Sequence, residues 1–195
     1  MSIARLDHFI RVYDGDLDSA FCQKLIDSFH NLARFQAQNG RGVRAGLENS
    51  AWTELNVSRL ADQGFLLFFR QQIDRALERY NQDVGLALSL PNSMQIADLT
   101  MKRYRPVDNE QFQLHFDAVN HMAHRYLVML WYLNDVATGG ETDFPQLDRK
   151  IEPRTGRLLM FPPYWMYQHA GLSPVSGDKY IISTYLLFGN PLQPS

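Results

Sequence analysis

The hydrophobic spacing of this chain changes period near residue 94, and that change limits the folds open to it. Before it, Leu17, Phe21, Leu25, Phe29 and Leu32 recur every three or four residues, which predicts a helix over about 16–37. Phe65, Phe69, Ile73, Leu77 and Tyr80 predict a second helix over about 59–81, with Ser58 placed to cap its N-terminus. Residues 39–50 hold three glycines and no period, so they read as a loop. After the change, Ala97, Leu99 and Met101 alternate with polar neighbours, the period of a strand. Further strands are expected over 112–117, 125–134, 157–161 and 179–188, with shorter ones near 148–152 and 164–169. Turn-forming residues separate them, among them Pro106, Gly139, Gly140, Gly156, Pro162, Pro163 and Gly177. Helices followed by many short strands imply an α+β chain, mainly β. The expected form is a sandwich or barrel-like roll with helices on one side.

With 195 residues, 45% of them apolar, the chain suits one domain. Residues 1–93 would be mainly helical support and 94–189 a strand-rich core, with 190–195 a loose tail. A net charge of -2, from 19 basic and 21 acidic residues, argues against a nucleic-acid binder. The first residues lack a secretory apolar core, and no stretch is long and apolar enough to span a membrane. A cytoplasmic protein with no membrane partner is the expectation. The single cysteine, Cys22, excludes an intramolecular disulfide framework and a thiolate zinc module, and reads as semi-buried packing on the first helix. Any metal must therefore be held by histidine and carboxylate.

The sequence 113–117 carries such a pair. On a strand, residues i and i+2 share a side, so His115 and Asp117 present an imidazole and a carboxylate together. His169 follows Asp117 by 52 residues. Two histidines and one carboxylate on one triangular face leave the opposite metal positions open, which suits non-haem Fe(II). The same set also suits catalytic zinc, and a His-x-Asp triplet arises by chance as well. Lys179, ten residues past His169, opens an apolar strand on which Ser183 and Tyr185 share its face. A cation with a neighbouring hydroxyl is a receptor for a carboxylate, and Tyr132 offers a second hydroxyl. Taken singly, Lys179 also suits a solvated strand end, and Tyr132 an ordinary core position.

Together these residues resemble the prolyl 4-hydroxylase-like branch of the Fe(II)/2-oxoglutarate dioxygenases, over roughly residues 95–189. The pattern is His-x-Asp, a distal histidine some fifty residues on, and a lysine ten residues later. Tyr132, Leu133 and Asn134 are similar to the family's Tyr-Leu-Asn strand end. Residues 139–145 are similar to its Gly-Gly-Glu-Thr-x-Phe-Pro loop, and 156–161 to the strand before the distal histidine. The resemblance implies a double-stranded β-helix (jelly-roll, cupin-like) core with N-terminal buttressing helices. It implies that His115, Asp117 and His169 hold Fe(II). Lys179 would bind the distal carboxylate of 2-oxoglutarate, with Tyr132 and Ser183 adding hydrogen bonds and Tyr104 near the cosubstrate. The reaction implied consumes 2-oxoglutarate and O2, yields succinate and CO2, and leaves room for ascorbate as an accessory. Asp117 stands where related halogenases carry a small residue, so hydroxylation is the expected outcome.

For the substrate, Arg125 and Tyr185 match positions that contact peptide in peptide-binding members. Phe112 stands where those members have a tyrosine; its ring can stack on a pyrrolidine, but the hydroxyl is missing. The expected substrate is a prolyl residue in a peptide or protein, with a free amino acid or another side chain as the nearest alternative. A zinc hydrolase and a non-catalytic metal-binding sandwich remain alternatives of another class. His121 and His124 read as loop histidines near the entrance. Tyr164, Trp165 and Tyr167 read as core residues, and 105–111 as a mobile flap over the site.

Overall fold

The computed structural model describes residues 5–92 and 95–189, so the tail expected over 190–195 lies outside the described residues. Two helices are described, α1 (Ser19–Asn31) and α2 (Gln63–Val84). The strands are β1 (Arg11–Tyr13), β2 (Ala37–Gly40), β3 (Ala51–Asn56), β4 (Gln95–Ile96), β5 (Thr100–Tyr104) and β6 (Phe112–His115), followed by β7 (Arg125–Tyr132), β8 (Thr142–Phe144), β9 (Arg149–Ile151), β10 (Leu158–Phe161), β11 (His169–Gly171) and β12 (Lys179–Leu187). The major sheet runs β1-β10-β7-β12-β5-β3-β2, with β4 pairing β12. A smaller sheet runs β6-β11-β8-β9. The strand pairings are antiparallel, and the architecture is the expected jelly roll with buttressing helices.

The period-two pattern divides the major sheet into two faces. Leu127, Met129, Trp131, Leu158, Met160, Tyr180, Ile182 and Leu186 pack with Phe29, Phe69, Ile73 and Leu77 of the helices. Their neighbours Val128, Tyr132, Leu159, Phe161 and Ile181 point the other way, with Phe144 and Ile151 of the smaller sheet. Because β7 is covered on both sides, it reads in sequence as a continuous apolar run rather than an alternating one. Trp131 is fully buried and its indole Nε1 donates to Asp16 Oδ2 at 2.7 Å; Asp16 in turn pairs with Arg79 at 2.6 Å.

Several local expectations are corrected. The first helix ends at Asn31, not near 37, because the chain turns through a short 3-10 segment and enters β2. It is capped by Asp18, whose Oδ1 accepts from the amides of Ala20 and Phe21. The second helix is capped by Asp62, which accepts from Phe65 N at 2.8 Å. Ser58 instead ties the helix entry to the core strands, its Oγ accepting from Leu99 N at 2.9 Å. The N-terminal half also supplies strands: β1, β2 and β3 belong to the major sheet, and β2 takes up the first two residues of the stretch expected as a loop, while β3 begins just after it. The strand expected over 164–169 is a 3-10 turn, Trp165–Tyr167, leading into β11. Tyr167 is in the core, but Trp165 is 63% exposed. Cys22 is completely buried rather than half-buried, and burial pushes its thiol up to about 11, leaving it protonated and inert.

Candidate active site

The site lies between the two sheets, on the inner face of the major one. β6 ends at His115, and β11 begins at His169 directly across from it in antiparallel register. Asp117 follows just past the strand, its amide donating to Pro163 O at 3.0 Å. Ligand-type atoms of His115, Asp117 and His169 lie within 4.8 Å of one another. His115 Nε2 is 3.5 Å from one Asp117 oxygen, and His169 Nε2 is 3.6 Å from the other.

The opposite ring nitrogens define the tautomers. His115 Nδ1 donates to Gln113 O at 2.7 Å and His169 Nδ1 to Tyr167 O at 3.1 Å. A carbonyl only accepts, so both Nδ1 atoms carry a proton, and both Nε2 atoms face the carboxylate as the positions left for a metal. Burial, reinforced by His115, pushes His169 down to about 4, so its ring is neutral at ordinary pH. Burial alone would raise Asp117. The hydrogen bond from His115 and the fields of His169, His115 and Arg125 outweigh it and hold the carboxyl well below the usual range. Tyr185 supports the same group, donating from its hydroxyl to Asp117 Oδ1 at 3.0 Å. Two imidazoles and one ionised carboxylate, each held by a partner of its own, fit Fe(II) by chemistry and by arrangement.

Deeper in the site lies Lys179, 2% exposed. Its ammonium donates to Gly140 O at 3.0 Å and Leu172 O at 3.3 Å and sits 4.5 Å from the Tyr104 ring centroid. Carbonyls and a ring face are weak compensation for a buried cation. Burial accordingly pushes Lys179 down to about 7, although Glu141 pulls the other way. When protonated, the ammonium keeps one proton and its charge for an incoming carboxylate. Space for it is kept by Gly171, where a side chain would begin 3.6 Å from Lys179 Nζ. Gly139 and Gly140 both adopt positive φ, and a Cβ on Gly139 would meet Ser173 O at 2.6 Å. The double glycine of the motif is therefore what allows the loop to bring a carbonyl onto Lys179.

Tyr132, Ser183 and Tyr104 all line this pocket. Tyr132 has a partner that sequence reasoning passed over: its hydroxyl is 2.6 Å from Thr142 Oγ1. Thr142 stands inside the Gly-Gly-Glu-Thr motif, which was the available signal. Arg125 lies at the outer rim, its guanidinium 3.8 Å over the Tyr185 ring centroid. Tyr185 is thus shared between the rim and the Asp117 carboxylate. The Phe112 ring is stacked on His115 at 3.8 Å and on Trp52 at 4.7 Å. Two near-parallel neighbours that close must occupy opposite faces. That leaves Phe112 only an edge for a substrate, so the expected pyrrolidine stacking on its face is not open to it.

Beyond the ligands, an open groove of about 850 Å³ leads outward. Residues 44–47 and 119–124 flank it, with His121 and His124 exposed on its rim. The stretch 105–111, expected as a flap, does not line it in the main. Arg105 is pinned to Glu110 through its amide at 2.9 Å and its guanidinium at 3.2 Å, and Glu110 is buried.

Comparison with known proteins agrees with the motifs. Residues 99–187 match the model of the 2OG-Fe(II) oxygenase superfamily, so the strand-rich half of the chain carries the pattern of that superfamily. A putative prolyl 4-hydroxylase of Acanthamoeba polyphaga mimivirus is 31% identical over 107 residues, covering 45% of this chain and 43% of that protein. The chain thus spans less than half the length of this curated relative. Among solved structures, a Pseudomonas putida prolyl-4-hydroxylase aligns with a TM-score of 0.69 at 14% identity, covering 94% of each chain. A Trichoplax adhaerens prolyl hydroxylase, solved with a hypoxia inducible factor peptide fragment, gives 0.68 at 19%, covering 92% of this chain and 84% of its own. The viral collagen prolyl hydroxylase of Paramecium Bursaria Chlorella virus-1, solved with 2OG, gives 0.64 at 20%, covering 91% and 94%. At these identities the structural likenesses establish the jelly-roll fold.

Proposed function

We propose that this chain is an Fe(II)/2-oxoglutarate-dependent dioxygenase that hydroxylates a prolyl residue in a peptide or protein. The observation that carries the reading is the pairing of two features. One is a His115, Asp117 and His169 donor set with both Nε2 atoms aimed at one carboxylate. The other is a buried ammonium on Lys179, inside the same pocket, with no carboxylate partner among the described residues. The chemistry that iron and 2-oxoglutarate supply when bound is oxidative decarboxylation to succinate and CO2, coupled to hydroxylation of a substrate carbon.

The chain's own residues bind, orient and exclude. Lys179 receives the distal carboxylate of the cosubstrate, and Tyr132, Ser183 and Tyr104 close the walls around it. Burial keeps the Tyr104 and Tyr132 phenols protonated, pushing both well above their ordinary value, so each stays a donor. Val128, Leu130, Phe161 and Ile181 line the same pocket and keep it apolar between its polar ends. Tyr185 holds Asp117 in place, and Arg125 flattens Tyr185 from outside. The peptide assignment draws support from the outer groove, which is far roomier than the inner pocket, and from the similar Trichoplax prolyl hydroxylase solved with a peptide fragment.

Anaerobic addition of Fe(II) and 2-oxoglutarate is expected to give a visible charge-transfer band in the wild type and none in His115→Ala. In air, mass spectrometry of proline-containing peptides is expected to show a gain of one oxygen matched by succinate. A colourless wild type, or an unchanged band in His115→Ala, overturns the dioxygenase reading. A gain of oxygen by free amino acids alone overturns the peptide assignment.

A further inference from the structure

Lys102 is a cation that none of the roles above employs. It lies on β5 two residues before Tyr104, so both side chains point to the inner face. Its cross-strand partner on β3 is Glu54. An ion pair would be the ordinary outcome of that register, yet none forms. Glu54 instead accepts from Trp52 Nε1 at 2.8 Å. The Lys102 ammonium swings over the aromatic pair, 5.4 Å from the Trp52 ring centroid and 5.3 Å from that of Phe112. Among the described residues it has no hydrogen bond and no carboxylate within ion-pair distance. It is partly buried and stands where the inner pocket opens into the groove, lining both. Of the other acidic groups on the groove, Asp117 is committed to the histidines and Tyr185, and Asp98 accepts from Asn56 and pairs with Arg59.

Resting on the proposed function, we infer that Lys102 is a specificity residue that receives a carboxylate carried by the substrate close to the carbon that reacts. Three donors on a flexible stem suit a carboxylate, and the Trp52 and Phe112 rings lie beside the ammonium without neutralising it. The cosubstrate is not its target. Lys179 occupies the deep end of the inner pocket, and Trp52, which flanks the Lys102 ammonium, lines the groove and not that pocket. The carboxylate has two sources: an acidic side chain flanking the target residue in a peptide, or the α-carboxylate of a free or terminal residue.

Wild type and Lys102→Met are compared on two matched pairs. One is a proline-centred peptide with glutamate or glutamine beside the proline; the other is L-proline and L-prolinamide. Wild type is expected to prefer the acid member of one pair by about 10–100-fold in KM, the span of a charge-assisted hydrogen bond. Lys102→Met is expected to erase that gap and leave the KM for 2-oxoglutarate unchanged. Lys102→Glu is expected to turn the preference toward a lysine-flanked peptide. The pair that shows the gap identifies the source. Isothermal titration of the iron-free protein with the same four probes reads the preference without turnover. It therefore judges Lys102 even if no charge-transfer band forms and the dioxygenase reading fails. Equal binding of acid and amide, no binding of either, a gap that survives Lys102→Met, or a rise in the KM for 2-oxoglutarate each overturns the assignment.

Discussion

Strand β12 shows two different proteins on its two faces. Toward the helices it presents Tyr180, Ile182 and Leu186, which join an apolar core with Trp131 and Met129 of its neighbour β7. Toward the smaller sheet it presents Lys179, Ser183 and Tyr185, separated by a single apolar residue, Ile181. The outer face gains free energy from burial. The inner face spends some of it, since the buried Lys179 ammonium is costly where it stands. Stability and chemistry are therefore divided by residue parity along the same strand, and substitutions on the two faces should fail in opposite ways.

The largest effect is expected at the ligand carboxylate. Asp117→Ala should lower turnover by at least on the order of 10³-fold, since the metal carries the chemistry. The free energy of urea unfolding should fall by no more than about 1–3 kcal/mol, as the Tyr185 hydroxyl loses its acceptor. A collapse of the fold would show that the inner face is structural after all. On the outer face, Trp131→Ala should cost about 3–5 kcal/mol in urea unfolding, on the order of 10²–10⁴-fold in the folding equilibrium. The folded fraction should keep its affinity for 2-oxoglutarate.

Lys179→Met should weaken 2-oxoglutarate binding about 10–100-fold, by loss of a charge-assisted hydrogen bond. Its stability at neutral pH should hold or rise. The sign follows from the direction of the shift. Lys179 is lowered from 10.5 to about 7 on folding, so between those values the unfolded chain holds a proton that the folded chain lacks. This group therefore adds stability as pH rises from about 7 to 10.5, and costs most below 7. Binding has the opposite dependence, because a dicarboxylate needs the ammonium. Affinity for 2-oxoglutarate should fall toward tenfold per pH unit above about 7, with proton uptake visible as buffer-dependent heat in calorimetry. A flat profile between pH 7 and 9 would mean that Lys179 is already fully charged in the free protein. The smallest effect is expected from Thr142→Val, which keeps the shape but leaves the buried Tyr132 hydroxyl short of a partner, at a cost of about 1–3 kcal/mol in thermal or urea unfolding.

The strand-rich half was legible because its information is local. Alternation along 125–132 and 179–187 separates the two faces without knowledge of the partners. His115, Asp117, His169 and Lys179 were legible because motif spacing along consecutive strands survives as register. What escaped comes from long-range pairing. β1, β2 and β3 are short, with three, four and six residues, and take their conformation from the sheet they join rather than from their own pattern. Trp52 stacks on Phe112 across 60 positions, and no periodicity links the two. Helix capping was misplaced because Ser58 and Asp62 both suit the role; the hydroxyl of Ser58 was drawn away by the Leu99 amide from another element. The expected flap failed for a similar reason. Pro106 and polar neighbours mark a loop, but only the fold shows Glu110 buried beneath Arg105.

By itself the sequence determined which residues must share a face, which chemistry they offer and where the chain must turn, since those follow from backbone geometry and side-chain type. Only the tertiary structure decided which faces meet. It brought His169 across from His115, sealed Phe112 between Trp52 and an imidazole, and turned Lys102 away from Glu54 toward the groove. Those outcomes depend on packing and on competition for hydrogen-bond partners between segments far apart in the chain, which no local pattern encodes.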